Sequence, residues 1–295
     1  MSEESIPILL DTDIGSDIDD AVALAYLLCQ PRCDLVGLTT VTGVSSQRAA
    51  IADAICRAAG KTDFPIHCGA DSAIPPGKGQ QIVHQFPALK DIEHRADWPA
   101  NTAVDFLRKT IRDRPGELTL LSIGPMTNIG LLFAIDPEIP SLLKQYICMA
   151  GCFFMSDRDQ EYNVMLDPSA AAIAYAAHAP KHTSYGLDVT YQCKMKSDQV
   201  REKFRGQPLK TVHTLAEHWF TLGGDEMTFH DPLAAVCLFE PDICKYRNGH
   251  VTIPWSDSQH MGATRFTEGA QGSPHTAAYE VDSIAFFDAF FSVFH

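Results

Sequence analysis

Residues 11–20 read Asp11-Thr12-Asp13-Ile14-Gly15-Ser16-Asp17-Ile18-Asp19-Asp20 and follow directly on the apolar run Ile6–Leu10. Five carboxylates within ten residues at the end of a strand repel one another unless something positive compensates. Capping the next helix uses one or two acids, for which Asp19 and Asp20 suffice, and leaves the others unexplained. Hard oxygen ligands at this density suit Ca²⁺ or Mg²⁺ better than zinc, which prefers Cys and His. An EF-hand is excluded, because Ser16 and Val22 stand where that loop needs Gly and Glu. A phosphatase of the haloacid dehalogenase type also begins with Asp-x-Asp after a strand, its first Asp serving as nucleophile, and stays open as a rival.

Outward from this loop, apolar runs suited to buried strands recur at Ile6–Leu10, Leu35–Val41, Leu118–Ile123, Tyr146–Ala150 and Thr183–Val189. Helical patterns lie between them at Asp20–Cys29, Ser46–Ala59, Ala103–Arg112, Asn128–Ile135 and Pro168–His178, with Ser45 or Ser46 as a cap for the second. This alternation predicts an α/β fold in a single domain over residues 1–295: an open, mostly parallel (mixed) sheet with helices on both faces. Ligands of such sheets bind at the carboxyl ends of the strands. The acidic loop, Gly124-Pro125-Met126-Thr127-Asn128 and Gly186-Leu187-Asp188 all fall on that rim. Residues 71–101, rich in Pro, Gly and Gln, read as a long loop able to serve as a lid. Residues 196–225 read as helical cap elements, with Trp219 assigned to core packing over base stacking.

Composition narrows the function. With 23 Lys and Arg against 37 Asp and Glu the chain carries a formal charge of -14, which argues against a phosphate-backbone partner. No run approaches the 18 apolar residues of a membrane span, and the polar start Met1-Ser2-Glu3-Glu4-Ser5 predicts no secretory leader. Nine scattered cysteines without a CxxC read as reduced thiols, and the expected compartment is the cytoplasm.

Read together, the motifs resemble the nucleoside hydrolase family of the inosine-uridine preferring type. They are DTDIGSDIDDAVAL at 11–24, TVTG at 40–43, PGELTLLSIGPMTNIG at 115–130, MAG at 149–151, EYNVMLDPSAA at 161–171, GLDVT at 186–190 and HDPLA at 230–234. The resemblance implies a Ca²⁺-dependent hydrolase that cleaves the N-glycosidic bond of a ribonucleoside or related N-riboside with a calcium-activated water. By position, Asp13, Asp20 and Asp231 match calcium-binding aspartates, and Thr127 matches a threonine that ligates through its main-chain carbonyl. Asp13 also matches the general base. Asp19, Glu161 and Asn163 match residues that grip ribose hydroxyls, and Met149 lines the same pocket. His230 matches a leaving-group acid, for which a pKa near neutrality is expected. The resemblance also implies a homo-oligomer, dimer or tetramer, with a small-molecule substrate as its partner.

Departures from the family pattern lie on the substrate side. Val44 stands where an orienting Asn is usual, Ala150 replaces a Gly, and a His-Gly-x-x-Gly-Leu stretch is missing from the 71–101 loop. The segment between Met149 and Glu161 is short for the family, and the sequence does not place the residue that contacts the 5′-hydroxyl. These departures leave open the identity of the riboside, and with it a sugar- or nucleoside-binding protein with reduced or no turnover.

Overall fold

Ile8 and Leu10 point to one side of the first strand and Leu9 to the other, and all three are fully buried, so this strand lies between two covered faces. The computed structural model describes residues 5–254 and 260–294. The segment 1–4, on which the expectation of no secretory leader rests, lies outside them.

Eleven strands are present among the described residues: β1 (Ile6–Thr12), β2 (Cys33–Thr40), β3 (Ile66–Cys68), β4 (Thr119–Ser122), β5 (Gln145–Met149), β6 (His182–Tyr185), β7 (Lys194–Lys196), β8 (Glu226–Thr228), β9 (Cys244–Thr252), β10 (Arg265–Glu268) and β11 (His275–Val281). Nine form one sheet in the order β10-β9-β11-β6-β5-β4-β1-β2-β3, and β7 pairs antiparallel with β8 in a separate two-stranded sheet. From β3 to β11 the pairing is parallel throughout; β9 runs antiparallel to both β11 and β10. The expected α/β architecture is therefore present, with an antiparallel edge.

Strand order reverses between β1 and β4, which are hydrogen-bonded neighbours with Asp11 opposite Ser122. Chains leaving these two strands turn to opposite sides of the sheet, and that divergence opens a crevice at their carboxyl ends. The acidic loop leaves β1 there and Gly124-Pro125 leaves β4. Helices Asp19–Cys29, Ser45–Ala58 and His230–Cys237 contribute to one core layer, and Ala103–Asp113, Thr127–Ile135 and Pro168–Ala176 to the other.

Three local expectations change. The run Thr183–Val189 stops being a strand at Tyr185, because Leu187–Thr190 is helical. Neither Ser45 nor Ser46 caps the second helix; the Ser45 N–H donates to Asp71 Oδ1 at 3.0 Å, so the acceptor comes from the following loop. Residues 71–101 are irregular apart from a 3₁₀ turn at Phe86–Asp91. The cap elements appear as helices Ser197–Lys203 and Leu209–Phe220. All nine cysteines are free thiols, and among the described residues no helix is long and apolar enough to cross a membrane.

Candidate active site

At the crevice, a cavity of about 740 Å³ is lined by Asp13, Asp17, Asp19, Asp20, Met149, Glu161, Asn163, His230 and Asp231, among others. Thus eight of the nine residues singled out in the sequence meet in one place. Thr127, the ninth, opens the helix after β4 and is buried, with its hydroxyl donating to Asp167 Oδ2 at 2.6 Å.

The closest grouping is Asp19, Asp20 and Asp231, whose carboxylate oxygens lie within 4.8 Å of one another. Asp19 and Asp20 start the helix after the loop, and Asp231 sits in the first turn of the helix His230–Cys237. Asp19 Oδ2 accepts from the Asp231 N–H at 3.0 Å, which ties the two helix starts together. Burial, and then the neighbouring carboxylates, push all three acids well above the usual carboxylate range. A buried, all-oxygen, acidic donor set of this kind fits a hard divalent cation. Asp13 stands beside it and is also raised by burial, with the Arg48 charge opposing that rise.

Arg48 is the basic group of this corner, and nothing in the sequence marks it. Its guanidinium is fully buried, 3.9 Å from Asp13 Oδ2. It donates to the carbonyls of Asp13, Ile14 (3.1 Å), Thr42 (2.8 Å) and Gln80 (3.3 Å) and to Ser16 Oγ (2.9 Å). One side chain thus fixes the acidic loop against both the β2 exit and the 71–101 loop. Gly124 belongs to the rim segment the sequence points to, and the structure gives the reason for its glycine. A Cβ there would meet Asp13 N at 2.7 Å and Oδ1 at 2.8 Å, so only glycine lets the β4 exit lie against Asp13.

On the other wall, Glu161 caps the helix Tyr162–Leu166. Its carboxylate accepts from Asn163 N (2.8 Å), Val164 N (3.1 Å) and Gly151 N (3.2 Å). Burial outweighs these bonds and pushes its carboxyl up to about 7. Asn163 Nδ2 donates to the carbonyls of Ile123 and Met149 at 3.0 and 3.1 Å, so what its amide offers a ligand is the acceptor oxygen.

His230 differs from expectation. Its Nδ1 meets Thr190 Oγ1 at 2.7 Å. Burial, helped by the Lys194 charge, pushes its pKa down to about 4 in place of near neutrality. At pH 7 the ring is uncharged and is a hydrogen-bonding group rather than a charged acid. Trp219 packs on the core as assigned, and it also lines the cavity.

The acids give a stability signature. Asp19, Asp20 and Asp231 are raised, and Asp11 and Glu161 titrate at about 7, so the folded state binds protons that the unfolded chain has released. Stability therefore falls as pH rises through that range. Buried His182 and His275 and half-buried His230, all lowered from 6.5, act oppositely below that value and are neutral in both states above it. We expect the melting temperature in chelator to drop between pH 6.5 and 8, and the drop to shrink when calcium is added. Parallel curves with and without calcium would contradict it.

The sequence profile described as inosine-uridine preferring nucleoside hydrolase matches residues 8–288. Uridine nucleosidase 1 of Arabidopsis thaliana is 28% identical over 94% of this chain and 88% of its own. The pyrimidine-specific ribonucleoside hydrolase RihA of Escherichia coli is 28% identical over 81% of each. Among solved structures, a plant nucleoside hydrolase, the PpNRh1 enzyme, superposes with a TM-score of 0.84 at 23% identity, covering 98% of both chains. With a family match across nearly its full length and a buried acidic site at the sheet's switch point, the chain belongs to the inosine-uridine preferring nucleoside hydrolases and is an N-glycosyl hydrolase of ribonucleosides.

Proposed function

We propose that this enzyme hydrolyses ribonucleosides in a calcium-dependent reaction, with uridine the first substrate to test. The observation that carries the reading is the convergence of Asp13, Asp19, Asp20, Asp231, Glu161, Asn163 and His230 on one cavity. Uridine is chosen because the relatives above are named for pyrimidine nucleosides.

Asp13, Asp20 and Asp231 through carboxylates, and Thr127 through its carbonyl, would hold the ion. Calcium supplies Lewis acidity, which makes water a competent nucleophile near neutral pH. Asp13 takes the proton of the attacking water as its oxygen bonds to C1′. The C1′–N bond breaks with its electron pair going to the base, and a solvent proton completes the free base. Asp19, Glu161 and Asn163 orient the ribose by accepting from its hydroxyls, and the carboxylates among them stabilise the oxocarbenium character that develops on the sugar. Met149 adds an apolar side chain to the lining. His230 faces the base and, neutral at pH 7, donates a hydrogen bond to it. Assembly as a homodimer or tetramer belongs to the same reading, and light scattering in solution tests it.

Uridine, cytidine, inosine and adenosine incubated with calcium-loaded protein should yield free base and ribose, and chelation should abolish release until calcium is restored. No release from any of the four would overturn the reading.

A further inference from the structure

Tyr191 follows directly on the short helix Leu187–Thr190 and lines the same cavity as Asp13 and His230. No motif marks it. Its ring meets the His230 ring edge-on, with centroids 5.3 Å apart and planes at 70°. The residue before it, Thr190, holds His230 Nδ1. Tyr191 and His230 are therefore placed by one helix end, and both line the cavity that holds the carboxylates.

Its hydroxyl is held by Arg158, which lines the same cavity. Arg158 Nη1 donates to Tyr191 Oη at 2.7 Å, and the guanidinium carbon lies 5.5 Å from the ring centroid. A phenol oxygen that accepts from a guanidinium still has its own proton to place. Among the described residues no protein acceptor receives that proton in a hydrogen bond. A donor backed by a cation and opening on a cavity is a device for meeting negative charge as it develops. Lys194 Nζ, 5.7 Å from the centroid of the same ring, adds positive charge nearby.

Asp157 and Asp159 share the exposed segment that carries Arg158 and also line the cavity. Their charge disfavours a ligand that is already anionic. The subsite suits a base that is neutral when bound and gains negative charge only as the bond to C1′ breaks. Selective binding of that later state accelerates a reaction, whereas equal binding of both states does not.

We infer that Tyr191 is a catalytic hydrogen-bond donor to the departing base, and that Arg158 is the positioning residue that turns its proton toward the base. No proton leaves Tyr191: the electron pair of the C1′–N bond goes to the base, and the hydrogen bond shortens as charge accumulates. The inference rests on the reading of His230 as the base-facing residue.

Leaving-group dependence tests it. Tyr191→Phe and Arg158→Met are compared with the parent enzyme on uridine, inosine and 4-nitrophenyl β-D-ribofuranoside. The nitrophenolate stabilises its own charge and needs no donor. Both variants should lose about 10- to 100-fold in kcat on the nucleosides, with KM little changed, and less than about threefold on the nitrophenyl riboside. Equal loss on all three substrates would assign Tyr191 a structural role and overturn the inference, as would undiminished nucleoside turnover. Calcium-dependent melting of both variants separates misfolding from chemistry, and if Tyr191→Phe does not fold, Arg158→Met carries the comparison alone. A parent enzyme that cleaves nitrophenyl riboside but no nucleoside would overturn the inference as well. A parent inactive on all three would remove the proposed function itself.

Discussion

Asp13→Asn lowers kcat for ribonucleoside hydrolysis by about 10³-fold, within the span that a positioned general base contributes. The substitution keeps size and an acceptor oxygen, so the contact with Arg48 3.9 Å away survives while the proton acceptor is lost. It preserves the main-chain carbonyl to which Arg48 donates, so the loop keeps its anchor. The comparison is made at saturating calcium, because Asp13 is also proposed as a ligand. A variant within tenfold of the parent would take the general-base role away from Asp13.

Asp20→Asn should move the metal-free and metal-bound forms in opposite directions. In chelator at pH 8 the parent holds Asp13, Asp19, Asp20 and Asp231 together, each raised by burial and all but Asp13 also by neighbouring carboxylates. Removing one charge relieves that repulsion, and the amide that replaces the carboxylate still offers an oxygen to the Thr12 hydroxyl that donates to Asp20. A gain of about 1 to 2 kcal/mol is expected, or roughly 2 to 8 °C in melting temperature. With calcium the order reverses. At a concentration 1,000 times its dissociation constant, an ion that binds only the folded state adds about 4 kcal/mol to the parent, and the variant should gain under about 1 kcal/mol. If Asp20→Asn melts lower than the parent in chelator, like-charge repulsion is not what dominates this corner. If it keeps the full calcium-induced shift, Asp20 is not a ligand.

The two substitutions probe a loop that is legible from residue types alone, whereas much of its setting is not. The apolar runs of β1, β2, β4, β5 and β6 declare themselves because strands covered on both faces must be apolar almost throughout. The edge strands do not. In β9, Cys-Lys-Tyr-Arg-Asn-Gly-His-Val-Thr mixes buried and exposed positions, β10 is largely polar, and β3 has only three residues. Charged β7 and β8 form a two-stranded sheet that carries no apolar run. Ser45 looks like a helix cap, yet the acceptor comes from Asp71, 26 residues further on, and no local rule contains that distance.

The site divides the same way. Asp13, Asp19 and Asp20 stand out by density, and Asp231, Glu161, Asn163, Met149 and Thr127 by motif. Arg48, Tyr191 and Arg158 have neither signal, because each acts through a partner distant in sequence. The phosphatase alternative does not survive membership of a nucleosidase family.

By itself the sequence determined that this chain builds an α/β sheet with an acidic loop at its carboxyl rim. Strand periodicity and charge density are local properties, and five carboxylates in ten residues invite a cation in any fold that buries them. Only the tertiary structure decided the rest. It brought Asp231 within 4.8 Å of Asp19 and Asp20, sealed Arg48 against the loop, and partly enclosed His230 so that it stays neutral at pH 7. Burial and through-space charge set those properties, and both depend on which distant segments the sheet order makes neighbours.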